Sequence, residues 1–116
     1  MEFEVIEDHI SNNSKPLKII KGEKVKVGKI SDESDGWVDW IYCYRIDGSS
    51  KGWVPIQIIQ ISYEYGIVLQ DYSAEELEIK KGESVESGIE LNGWMWCKDR
   101  NRKKQGWLPK KKLKMI

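Results

Sequence analysis

Two cysteines, Cys43 and Cys97, and one histidine, His9, are the residues best suited to nucleophilic or metal chemistry, and their number already limits it. A structural zinc site takes four Cys or His ligands at short spacings, which this set does not supply. Two cysteines do not make a disulfide framework, and they suit a reducing compartment. A reactive thiol needs a neighbouring base or a positive field. Without one, Cys43 and Cys97 are expected to be buried and to act as small hydrophobes. No metal, no cofactor and no enzymatic activity are expected.

Charge is the second resource. The chain carries 19 basic and 19 acidic residues, for no net charge. Yet residues 98–116 hold Lys98, Arg100, Arg102, Lys103, Lys104, Lys110, Lys111, Lys112 and Lys114 against Asp99 alone, so this stretch is +8 and the remainder −8. Such a cluster suits a polyanion, whether nucleic acid, an acidic protein or anionic lipid. No glycine-rich phosphate loop accompanies it, and the neutral total argues against dedicated nucleic-acid binding. The simplest alternative is that the patch meets the acidic half of a neighbouring molecule or of the same chain. The acids gather as Asp32, Glu33, Asp35 and Asp39 before Trp40, and as Asp71, Glu75, Glu76 and Glu78. A solvated face is the plain reading of both clusters.

The elements that position these groups are short strands. Val25 and Val27 alternate with Lys24 and Lys26, the period-two pattern of a half-buried strand. Trp40-Ile41-Tyr42-Cys43-Tyr44 and Trp94-Met95-Trp96-Cys97 are rich in aromatic and β-branched residues and are followed by polar turns. Alternation places Ile41, Cys43, Met95 and Cys97 on one face and Trp40, Tyr42, Tyr44, Trp94 and Trp96 on the other. With the thiols inside, the aromatics form an outward stripe, either a contact surface or the seam between two domains. A turn of helix is expected only across residues 74–81.

The two aromatic strands belong to an internal repeat. Lys21-Gly22-Glu23 recurs as Lys81-Gly82-Glu83, sixty positions on, while Trp40, Cys43, Gly52-Trp53 and Pro55 recur as Trp94, Cys97, Gly106-Trp107 and Pro109, fifty-four positions on. The six-residue difference sits in one loop, between the Lys-Gly-Glu turn and the Trp. The 116 residues therefore divide into two small domains, expected at 1–61 and 66–116, with a short linker near Ser62–Gly66. The expected class is all-β, two small barrels in tandem, since closure limits exposed edges. The apolar runs are too short to span a bilayer. The acidic N-terminus lacks the marks of a signal peptide, so a cytoplasmic location is expected.

In order and spacing these residues resemble Src-homology-3 domains, in a variant, prokaryotic-looking form, over nearly the whole chain. Val68-Leu69-Gln70-Asp71-Tyr72 looks like the family's opening Ala-Leu-Tyr-Asp-Tyr strand. Leu77–Glu83 looks like its Leu-Ser-Phe-Lys-Lys-Gly-Asp/Glu segment, Trp94 like the first of its paired tryptophans, and Gly106-Trp107-Leu108-Pro109 like its Gly-Tyr-Ile-Pro motif. In the first copy Val5–His9 takes the opening strand, and Trp40 and Gly52-Trp53-Val54-Pro55 complete the set. The resemblance implies five strands in each barrel, and a non-enzymatic module that binds extended protein or peptide segments in an aromatic groove, a fit for preformed polyproline helices. The groove of copy one is expected from Glu7, His9, Trp40, Tyr42, Trp53, Pro55 and Ile58. That of copy two is expected from Gln70, Tyr72, Trp94, Trp96, Trp107, Pro109 and Lys112. His9 stands at a groove edge in place of a tyrosine. The resemblance also implies that Asp32, Glu33, Asp35, Asp71, Glu75 and Glu76 read a basic ligand residue beside the indoles. Two usual groove tyrosines are absent from each copy, and the first loop of copy two is about three residues shorter than the family's.

Overall fold

The computed structural model describes residues 1–11, 15–35, 38–100 and 103–116. It is all-β as expected, with 3-10 turns at Glu33–Asp35, Ile56–Ile58 and Lys110–Lys112 and no α-helix among the described residues. The segment 74–81, expected as a turn of helix, contains no helix and makes isolated bridges at Glu76 and Ile79. Two compact units account for the chain: Lys15–Ala74, and Met1–Ser14 together with Glu75–Ile116. The boundaries expected at 1–61 and 66–116 follow the sequence repeat, and the compact units do not.

The contiguous unit contains a sheet in the order β5-β4-β3-β7-β6, all neighbours antiparallel. Its strands are β3 (Lys24–Ile30), β4 (Trp40–Arg45), β5 (Lys51–Pro55), β6 (Ile59–Ser62) and β7 (Tyr65–Val68). A two-stranded ladder joins β2 (Lys18–Ile19) to β8 (Tyr72–Ser73). Leu17, Ile19, Val25, Ile41, Cys43, Val54 and Val68 are fully or almost fully buried. The residues expected as a linker are a hairpin inside this sheet: Ser62 pairs with Tyr65 across the two-residue turn Tyr63-Glu64, with Tyr63 at φ 57°. So tight a turn delivers β7 next to β6, the slot that an opening strand takes beside a closing one.

The split unit repeats the order as β11-β10-β9-β1-β12. Its strands are β9 (Ser84–Leu91), β10 (Trp94–Asp99), β11 (Gln105–Pro109), β12 (Leu113–Met115) and, from the other end of the chain, β1 (Glu2–Val5). Its core is Phe3, Val5, Leu77, Ile79, Val85, Met95, Cys97 and Leu108, with Leu113 packed against them. Neither ladder is closed from its first strand to its last.

Each opening strand thus completes the sheet of the other copy, and it does so in the same register. Val5 donates to Glu83 O at 2.9 Å and Val68 to Glu23 O at 2.9 Å; Gly82 donates to Val5 O at 2.8 Å and Gly22 to Val68 O at 2.7 Å. The Lys-Gly-Glu repeat is explained by the turn it makes. Gly22 and Gly82 lie at φ 89° and 96°, a backbone that favours glycine. Glu23 and Glu83 turn their carboxylates back to accept from the N–H groups of Ile20 and Lys80.

Candidate functional site

In the split unit the site is assembled from both ends of the chain. His9 and Ile79 exchange backbone hydrogen bonds of 2.9 and 3.0 Å, which anchor the main chain that carries the imidazole. The ring is buried. Lys112 enters from the 3-10 turn that begins after Pro109, and its Nζ lies 3.0 Å from His9 Nδ1 and 3.0 Å from Asp8 O. An ammonium only donates, so Nδ1 accepts, and Nε2 donates to Glu76 Oε1 at 2.7 Å. Trp94, half-buried, meets the imidazole edge-on with ring centroids 5.8 Å apart. His9, Glu76, Trp94 and Lys112 form one connected surface.

The contiguous unit holds the matching positions. Tyr72 pairs with Ile19, is buried, and donates its hydroxyl to Trp53 O at 3.3 Å. Where the split unit has Lys112, this one has Ile58, 4% exposed. Tyr42 lies between two rings, Trp53 at 5.0 Å and Tyr44 at 5.2 Å, both T-shaped. Its counterpart Trp96 meets Trp107 at 5.3 Å and donates Nε1–H to Gln105 Oε1 at 3.1 Å. Pro55 and Pro109 stand at the start of equivalent 3-10 turns, at φ −57° and −60°.

Two expectations are corrected here. His9 was expected beside Trp40 and Tyr72 beside Trp94; strand exchange puts His9 with Trp94 and Tyr72 with Trp53. The outward stripe is also uneven. Tyr42, Trp94 and Trp96 are half-buried and Tyr44 reaches the surface, but Trp40 is only 5% exposed; Trp107, expected in the groove of copy two, is likewise only 6% exposed. The opposite face is as alternation requires, with Ile41, Cys43, Met95 and Cys97 buried. Burial pushes the Cys43 thiol up to about 12 and Cys97 up to about 11, the latter eased by a hydrogen bond with Ser87.

Most of the acids expected to read a basic ligand are engaged within the protein. Asp35 pairs with Lys29 at 2.8 Å and accepts from Asp32 N–H; the lysine holds its carboxyl below the ordinary range. Asp32 accepts from the Ser34 N–H at 2.9 Å, with Glu33 exposed on the same turn. Asp71 accepts from Lys21 N–H at 2.8 Å, matched in the split unit by Asp8 and Lys81 N–H at 2.7 Å. Glu76 holds His9, and the Glu75 carbonyl accepts from Trp107 N–H at 2.9 Å. These carboxylates position loops, which residue type alone does not reveal.

The basic cluster divides as well. Arg100 forms ion pairs with Glu2, from the exchanged strand, and with Glu86 at 3.7 Å. Lys110 pairs with Glu90 at 3.1 Å. Lys98, Lys103, Lys104 and Lys111 are exposed, and Lys112 is half-buried against His9. Arg102 lies outside the described residues. Among the described residues, no group of three or more His, Cys, Asp or Glu could hold a metal, and no helix is long and apolar enough to cross a membrane. Sequence reasoning missed Asp8 as the acceptor for the Lys81 turn. Its signal was available in the matched Asp71, since both stand one residue before the groove-edge ring.

Residues 3–62 match the family model described as Variant SH3 domain. No curated protein and no solved structure matches.

Proposed function

Because the chain belongs to the variant SH3 domain family, whose members are generally protein-interaction modules, we propose that it binds extended peptide or protein segments through two composite aromatic surfaces. One is centred on Trp94 with His9 and Lys112, the other on Trp53 with Tyr42 and Tyr72. The supporting observation is the reassembly of both motif sets in spite of the exchange: a ring from an opening strand lies against a Trp-bearing element in each unit. Half-buried indoles offer large apolar area at small entropic cost, the usual make-up of a contact that carries binding energy.

The test is an array of ten-residue proline-containing peptides probed with the wild-type chain and with a Trp53→Ala, Trp94→Ala variant. These two are chosen because each is partly accessible, whereas truncating Trp40 would hollow the interior. Binding is expected to fall at least about tenfold, the usual loss for a hot-spot aromatic, with the thermal midpoint shifted by only a few degrees. An unchanged array in the double variant would rule out both surfaces.

A further inference from the structure

The family-like surface of the split unit differs from its counterpart at one position that decides charge. Where the contiguous unit buries Ile58, the split unit places Lys112 beside His9 and Trp94. The Lys112 ammonium has three N–H donors. Asp8 O and His9 Nδ1 take two of them, each at 3.0 Å, which leaves one for a ligand atom. The lysine is held in place by those two acceptors, so little side-chain entropy remains to be lost on binding.

Three carboxylates of this unit each already hold a partner on one oxygen. Glu76 accepts from His9 Nε2, Asp8 Oδ1 from the Lys81 N–H, and Glu90 from Lys110. A ligand arginine would have to share one of these carboxylates with its present partner and face the Lys112 charge. The turn that carries Lys112 is itself Lys110-Lys111-Lys112, with no acidic residue in it. A ligand carboxylate meets the opposite situation, a prepaid donor and a cationic turn beside a half-buried indole.

We propose that the Trp94 surface is selective for an acidic segment: a carboxylate of an extended peptide seats on Lys112 Nζ while its apolar neighbour packs on Trp94. The inference rests on the peptide-binding reading above and inverts the charge preference expected from the acidic loops. The Tyr72 and Trp53 surface, with Ile58 at the equivalent place, is indifferent to that charge.

The full-length chain is titrated at low and moderate salt with three acetylated, amidated nine-residue peptides. They share a proline–alanine frame and carry two Glu, two Gln or two Arg at the same positions. Affinity at the split unit is followed by amide shifts of Trp94 and its neighbours. The expected order is Glu, then Gln, then Arg, with the Glu peptide about tenfold tighter than the Gln peptide at low salt and the gap narrowing as salt rises. Lys112→Gln should bring the Glu-to-Gln ratio close to one, while Lys103→Gln with Lys104→Gln leaves it unchanged. Chemical shifts of the β9 and β10 amides confirm that each variant is folded. An Arg peptide that binds as tightly as the Glu peptide, or a preference that survives Lys112→Gln, overturns the charge assignment and leaves peptide binding standing. If none of the three perturbs the Trp94 region, peptide binding at this surface fails and takes the charge assignment with it.

Discussion

The sheet of residues 15–74 is made from one uninterrupted stretch of chain, whereas its counterpart joins a strand from residues 2–5 to four strands from residues 84–115. The strand order and register are the same in both. What differs is the fit of two side chains at equivalent points of the slot. Phe3 pairs with Val85 and Met115; at the same place in the other sheet, Gly66 pairs with Val25 and Ile61. A Cβ on Gly66 would lie 2.5 Å from Ile59 Cγ2 and 3.2 Å from Val27 Cγ1. The contiguous unit therefore has no room for Phe3, and Gly66 in the split unit would leave a cavity in a core that Phe3 now fills. Connectivity agrees. Nine residues separate His9 from Ile19, but only six separate Tyr72 from Ile79. A shortened hairpin loop favours handing its strand to another unit. Charge agrees too: residues 1–14 carry four acids and no Lys or Arg, and residues 75–116 carry eleven basic against seven acidic residues, so the exchange makes the split unit neutral.

The sharpest way to break this comparison is to disturb the two slots one at a time. Phe3→Ala removes a buried aromatic from the split unit and is expected to cost about 3–5 kcal/mol. Gly66→Ala crowds the contiguous unit and should cost about 1–3 kcal/mol. Amide exchange resolves which sheet responds. Phe3→Ala should release the amides of β9 and β10 and leave β3 and β4 protected; Gly66→Ala should do the reverse. If Phe3→Ala loosens β3 instead, β1 belongs to that sheet and no exchange takes place.

A smaller effect separates two glycines at matched repeat positions. In the split unit, segment 75–77 lies along β11, with Leu77 N–H donating to Trp107 O at 3.1 Å and Trp107 N–H to Glu75 O at 2.9 Å. A Cβ on Gly106 would sit 2.6 Å from Leu77 N and 2.8 Å from Glu76 C, backbone atoms that cannot turn aside. On Gly52 it would meet only the Cβ atoms of Leu17 and Ala74, at 3.4 and 3.9 Å. Gly106→Ala is expected to destabilise by about 2 kcal/mol, as overpacking does. Gly52→Ala should change urea stability by less than about 1 kcal/mol. Equal costs would show that segment 75–77 does not approach β11.

These contrasts also mark how far the sequence could be read. Period-two alternation fixes which face of a strand is apolar, and Ile41, Cys43, Met95 and Cys97 are inside as it requires. The Lys-Gly-Glu turns and the Gly-Trp strands were legible because a turn or a strand is local. The partner of each opening strand was not. A repeat specifies two equivalent slots and says nothing about which copy fills them, so His9 was expected with Trp40. The signal that decides it, Phe3 against Gly66, becomes informative only once the neighbours at Ile59 and Val27 are known. Burial of Trp40 was illegible for a related reason, since alternation describes one strand and not what later covers it.

The finest contrast is between the thiols, which occupy matched positions and are both fully buried. Burial raises each pKa above the ordinary thiol value of about 8.5, Cys43 to about 12 and Cys97 to about 11, where a hydrogen bond with Ser87 acts against the burial. In the unfolded chain both ionise near the ordinary value, so the stabilising preference for the neutral thiol is complete below it. That contribution declines as pH rises from there and is lost by the time the folded groups themselves ionise. Native labelling by a thiol reagent should accordingly be slow at pH 7 and fast in denaturant. As the solution is made alkaline, Cys97 should react ahead of Cys43. Substituting Ala for Ser87 should narrow the gap by raising Cys97 alone, which peptide mapping of the labelled sites reads directly. A Cys43 that reacts first would mean that the hydrogen bond with Ser87 is not the source of the difference.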